Sequence, residues 1–247
     1  MSVQISYNKK LPSKNSVNKV LFIDEKYKIS GLKKHLFAAE FKCISDLLKS
    51  KDIKEKILSF EISSKVKVTL VSVKKDIKSS DLENLGAKFY DIFKSSKIKD
   101  FNLNSDTAPK HKNDVVGYFL HGIKLKSYKF DKYKTKKLNE NLSIIVTGKN
   151  KPSIKNQIKF KAIEDGIFYA RDLVSEPGNV LHPDEYAKRI NSLRNEGLRI
   201  NIYDEKKLKK LGMNTLLGVG QGSVRGSYLA TMEWKGLKDN SKPLAFV

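Results

Sequence analysis

A single cysteine, Cys43, is all the chain has, so neither an intrachain disulfide nor a multi-cysteine zinc site can be built from it. That shortage suits a reducing cytoplasm, and Cys43 itself reads as a small buried hydrophobe. Glycine and proline are sparse, 14 and 6 among 247 residues, which is too few breakers for a disordered chain. Nowhere do 18 apolar residues run together, and residues 1–16 are polar and lysine-bearing without an apolar stretch. Neither a membrane span nor a secretory leader is therefore expected. Arginine is missing from the first 150 residues, which hold 32 lysines against 16 acids.

What is present argues for a folded protein. Hydrophobic residues make up 39% of the chain, enough for a real core, and 247 residues suit two domains or one large one. Basic residues outnumber acidic ones by 49 to 27, a net charge of +22. Such an excess attracts phosphates through counterion release. Lysine lacks the bidentate fork with which arginine reads bases, so the arginine-free half predicts at most weak, sequence-blind nucleic-acid binding.

Strand and helix periods alternate along the chain. Residues 19–24 (KVLFID) and 66–73 (VKVTLVSV) read as strands, 101–103 as a short one and 142–147 (LSIIVT) as another. Between them, Leu32, Leu36, Ala39, Cys43 and Leu47 predict a helix over 32–48, and Ser80 with Glu83 predicts a capping box. A third helix is expected to start at Asp114. Strands separated by helices of this length imply βα units and a mostly parallel sheet covered on both sides, over residues 1–148.

GKNKPS (148–153) is the best candidate boundary. Phe160, Ile163, Ile167, Ala170 and Val174 then predict one long helix with an apolar seam. Pro183 reads as the first residue of the next helix, with Asp184 and Glu185 complementing its dipole and Gly197 as its stop. Residues 198–202 read as a strand, Asp204 as the cap of a short helix ending at Gly212, and residues 228–234 and 244–247 as two more strands. A chain that stops on the apolar run PLAFV (243–247) reads as truncated, with an uncovered sheet around Leu198, Ile200, Ile202, Leu229 and Leu244.

No residue set makes a catalytic constellation. Gly218, Gly220 and Gly222 lack the spacing of a dinucleotide fingerprint and read as a tight connection, with Ser223 an ordinary loop serine rather than a nucleophile elbow. TGKN (147–150) lacks the remaining features of a Walker loop. His35, His111, His121 and His182 show no i, i+4 pairing toward a metal, and the adjacent acids Glu164–Asp165 and Asp184–Glu185 diverge around their helices. No catalytic, cofactor-binding or metal-binding residue is assigned.

The segment YARDLVSEPGNVLHP (169–183) resembles the stretch with which the catalytic domain opens in the cytosolic leucyl aminopeptidases, a hexameric two-metal family. Further blocks agree in order: YKFDKYK (128–134), LKKLGM (208–213), LGVGQGS (217–223) and PLAFV (243–247). Ser175 stands where Asn is commoner and His182 where Thr usually caps the following helix. The resemblance implies an N-terminal macro-like α/β domain over 1–148, a linker and connecting helix over 149–176, and the incomplete start of an α/β catalytic domain over 177–247. It further implies a cytoplasmic homo-hexamer that releases N-terminal residues from peptides, using two divalent ions, Mn or Zn, to activate a bridging water. In that family the ligands and catalytic residues follow the strand that matches 244–247. None can be placed in this chain, which alone is expected to be inactive.

Overall fold

A computed structural model describes residues 3–7, 18–49, 55–63, 66–110, 114–136, 141–237 and 242–247. The chain forms two compact units, Met1–Arg171 and Asp172–Val247.

The first unit is built on a six-stranded sheet of β1 (Val3–Tyr7), β2 (Asn18–Asp24), β3 (Ile57–Ser63), β4 (Val66–Val73), β5 (Asp100–Asn104) and β6 (Leu142–Thr147), in the order β1-β6-β5-β2-β4-β3. All neighbours run parallel except β3, which pairs antiparallel with β4. Apolar side chains alternate between two cores because successive strand residues face opposite sides. Val20, Phe22, Val71 and Val73 join one cluster, whereas Leu21, Ile23, Val68 and Leu70 join the other. The first is covered by α2 (Ser79–Phe93) and α3 (Val115–Lys126), the second by residues around Leu32 and by α1 (Ala38–Lys49).

Helices α2 and α3 meet at two glycines. A Cβ on Gly86 would lie 2.0 Å from the Phe119 carbonyl oxygen, and one on Gly122 2.0 Å from that of Glu83. The two backbones therefore touch, and an aromatic cluster fills the space beside them, with Phe89 edge-on to both Phe101 and Phe119.

Several expectations are corrected. The helix over 32–48 is two elements, a 3-10 turn at Ser30–Leu32 and then α1. The start of α1 is set by Glu40, whose Oε2 accepts from the Phe37 backbone N–H at 2.9 Å, the return half of a capping box. Both Glu40 oxygens also accept from Lys19 Nζ, at 2.7 and 2.6 Å, so this ion pair lies buried under the helix. The box expected at Ser80 and Glu83 is absent: α2 starts two residues earlier, Lys78 holds the cap position without a side-chain bond, and Asp81 sits in the first turn. Asp114 does cap α3, accepting from the Gly117 N–H at 2.8 Å. Two edge strands, β1 and β3, were not foreseen, because VQISY and ILSFEIS mix polar with apolar residues over too short a span.

Helix α4 (Ile154–Ser175) is continuous, but its expected seam is not buried as a whole. Phe160 alone is buried, Ile163 is exposed and Val174 is 87% exposed. Only part of the helix finds partners in the first unit: Phe160 packs on Tyr118 and His121, and Phe168 on Tyr128.

The second unit contains α5 (Pro183–Ser192), β7 (Arg199–Tyr203), α6 (Glu205–Lys210), α7 (Asn214–Gly220) and β8 (Leu229–Glu233), with β7 and β8 paired antiparallel. Ile200, expected to be uncovered, is buried with Ala187 of α5 and Leu208 of α6. Residues 244–247 form no strand; Leu244 is 82% exposed. The glycines of LGVGQGS do not use left-handed backbone: Gly218 and Gly220 lie in α7, and the positive-φ glycines among the described residues are Gly148, Gly197 and Gly212.

Candidate functional site

The family-like motifs fold into two sets of contacts. In the first unit, Arg171 of the YARD block reaches back to the YKFDKYK block. Its guanidinium lies over the Tyr128 ring at 5.5 Å and donates to the Leu125 carbonyl at 2.8 Å, while Phe168 packs on the same ring at 5.4 Å. Two stretches forty residues apart in sequence thus fix the latter part of α4.

In the second unit the hub is Asp184. Its Oδ2 lies 3.2 Å from His182 Nδ1 and 3.4 Å from Arg225 Nη1, and it accepts a hydrogen bond from the Tyr228 hydroxyl. The Tyr228 bond is the largest cause holding the Asp184 carboxyl below its ordinary pKa. The same contact raises the Tyr228 hydroxyl. His182 also caps α5, with Nδ1 accepting from the Glu185 N–H at 3.5 Å, a long bond of the kind expected where imidazole replaces a hydroxyl. Arg189 bridges Glu176 at 3.2 Å and Glu185 at 3.0 Å. Gly220 packs closely on Ser227: a Cβ there would lie 2.0 Å from Ser227 Oγ, so that hydroxyl would have to rotate away. Every one of these contacts is satisfied within the unit, and none leaves a nucleophile beside a base.

His35 Nδ1 meets Asn104 Nδ2 at 2.9 Å, and burial lowers its pKa. His121 pairs with Glu164 at 2.9 Å, and Asp165 with Lys161 at 2.6 Å, so the adjacent acids turn to different partners. Likewise Glu185 turns to Arg189, away from the Asp184 hub. His111 lies outside the described residues. Cys43 is half-buried. Among the described residues no group of three His, Cys, Asp or Glu side chains is arranged to hold a metal ion, so a two-metal centre does not fit the residues present. No helix among them is long and apolar enough to cross a membrane.

One feature escaped the sequence reading: a cavity of about 260 Å³ in the first unit, between β1, α3 and α4. Ile5, Leu120, Phe160 and Phe168 give it apolar walls, and Tyr7, His121, Lys124, Lys161, Glu164 and Asp165 give it charge and hydrogen-bonding groups. Tyr7 was hidden because β1 was hidden. Burial, with the charges of Asp114 and Glu164 behind it, pushes the Tyr7 hydroxyl up to about 12.

The fold defines a class before any family does: an α/β chain of the kind found in the leucine aminopeptidases. A tomato leucine aminopeptidase mutant superposes with a TM-score of 0.73 over 93% of this chain and 50% of its own, at 17% identity. The cytosol aminopeptidase of Coxiella burnetii gives 0.66 over 95% and 47%, at 18% identity. At such identities the likeness is one of fold.

The likeness extends to sequence. Residues 168–247 match the cytosol aminopeptidase family, catalytic domain. The probable cytosol aminopeptidase of Brucella melitensis biotype 1 is 45% identical over 133 residues, 51% of this chain and 27% of its own length. That of Nitrobacter hamburgensis is 47% identical over 141 residues, 54% of this chain and 28% of its own. The resemblance to the cytosolic leucyl aminopeptidases is thus borne out, over a span that is a minor part of those relatives' length.

Proposed function

We propose that the chain is part of a leucyl aminopeptidase-like metallopeptidase that acts in the cytoplasm and releases N-terminal residues from peptides. The match of residues 168–247 to the family's catalytic domain carries this reading. In it, residues 1–148 are an N-terminal macro-like domain, 149–176 a connection, and 177–247 the start of the catalytic domain. Two divalent ions, Mn or Zn, supply the Lewis acidity in the whole enzyme. A solved neighbour, the bottromycin maturation enzyme BotP, was determined in complex with Mn.

No reaction step is assigned to residues of this chain, because the described ones offer no set of ligands for such ions. Their part is positional: the Asp184 hub ties the segment after the YARDLVSEPGNVLHP block to the loop after LGVGQGS. The partners in this reading are peptide substrates and further copies of the subunit in a hexamer. The lysine excess supports only weak, salt-sensitive contact with nucleic acid.

The test is a chimera. Residues 1–247 joined to the remaining catalytic sequence of the Nitrobacter hamburgensis relative should release leucine from a leucyl peptide in the presence of Mn, whereas the chain alone should not. Turnover by the chain alone, or a folded chimera without activity, would contradict the reading.

A further inference from the structure

The cavity between β1, α3 and α4 belongs to none of the family blocks and takes no part in the peptidase reading. Its volume of about 260 Å³ is the liquid share of roughly nine waters, and leucine has a similar number of non-hydrogen atoms. Its lining is electrically balanced, with Lys124 and Lys161 facing Glu164 and Asp165. A simple anion or a simple cation would meet like charge there as well as unlike. A zwitterion would not.

The groups are also ordered in space. Glu164 is held in place by His121, whose Nδ1–H donates to Oε1 at 2.9 Å and whose ring lies against Phe160 at 5.1 Å. One carboxylate oxygen is thereby engaged, and Glu164 lines the cavity. Lys124 reaches the Val3 carbonyl at 2.5 Å, which anchors its ammonium at β1. We propose that this cavity binds a free α-amino acid with an apolar side chain, its carboxylate at Tyr7 and Lys124, its ammonium at Glu164, and its side chain against Ile5, Leu120, Phe160 and Phe168.

Two electrostatic facts support that orientation. Tyr7 keeps its proton far above neutrality and so remains a donor, and burial disfavours the charged form of Lys124, a cost that a bound carboxylate would offset. Charge-assisted bonds at both ends of one ligand make recognition depend on both ends.

The experiment is an amide NMR titration of the intact chain with L-leucine, 4-methylpentanoate, which lacks the amine, and isopentylamine, which lacks the carboxylate. Leucine should give saturable shifts at Ile5, Gly117, Leu120 and Phe160, and each truncated analogue should bind at least ~10-fold more weakly. Glu164→Gln should weaken leucine by a similar factor while leaving 4-methylpentanoate unchanged. Because the analogues are compared on the unaltered chain, the result does not depend on that variant's folding. No saturable shift at ~10 mM leucine, or equal binding of leucine and 4-methylpentanoate, would overturn the proposal. Neither outcome bears on the peptidase reading, since the titration measures no turnover.

Discussion

The two units differ in how completely each buries its own apolar residues. In the first, both faces of a six-stranded sheet are covered and the two core clusters are made from its own elements. In the second, Ala187, Ile200 and Leu208 are the buried apolar residues among those described, while Val219, Val224, Leu237 and Phe246 are each more than 70% exposed. The better-packed unit is the one whose sequence is less family-like. The unit that matches the catalytic domain has the smaller core. Likeness to a family and self-sufficiency in folding are therefore separate properties, and here they run in opposite directions.

The sharpest break of that contrast is expected at the buried ion pair. Glu40→Ala strands the Lys19 ammonium under α1 and removes the return bond to Phe37, so the first unit should lose ~3–5 kcal/mol. The double change Lys19→Met with Glu40→Leu should recover most of this. The lone tryptophan, Trp234, belongs to the second unit, so its fluorescence serves as an internal control. Denaturation followed by circular dichroism should shift strongly while the tryptophan transition stays in place. A joint shift would mean that the units unfold as one.

Next in size is Gly122→Ala, which drives a methyl into the Glu83 carbonyl and should cost ~1–3 kcal/mol by forcing α2 and α3 apart. An unaltered denaturation midpoint would show that the crossing can relax.

Much of this was readable in the sequence, and the failures share a cause. Strands β2, β4 and β6 were legible because each is central and largely apolar, so its burial is written into its own residues; β5 (DFNLN) shows only through Phe101 and Leu103. Strands β1 and β3 were not, since an edge strand is half-polar and is defined by its neighbour's ladder. The helix caps divided in the same way: Asp114 and Asp204 use a local side chain that the pattern exposes, whereas α1 is started by Glu40 in concert with Lys19, a residue distant in sequence. The family blocks were legible as words, but not the Asp184 hub, which joins residues forty positions apart. The cavity could not be read at all, because β1 supplies one of its walls.

Smaller effects sharpen the picture of the first unit. Thr69 places a buried hydroxyl without a hydrogen-bond partner, so Thr69→Val should stabilise by ~1 kcal/mol. A destabilised variant would reveal a partner for that oxygen. Alkaline pH tests Tyr7. Its folded pKa, about 12, lies above the ordinary value of 10, so the folded state binds that proton more tightly. The stability it contributes is fully present below pH 10 and is lost as pH rises through about 12. Tyr7→Phe should therefore flatten the fall in unfolding midpoint over that window relative to the unaltered chain. Identical slopes would contradict the assignment.

The second unit matches part of a family's catalytic domain yet buries few of its own apolar residues, so it should be less protected than the first. Residue-resolved amide exchange, measured on the chain alone and on the Nitrobacter chimera, tests this most directly. The β7 and β8 amides should exchange much faster than those of β2 and β4 in the chain alone, and become protected in the chimera. Protection of β7 and β8 equal to that of β4 in the chain alone would contradict it.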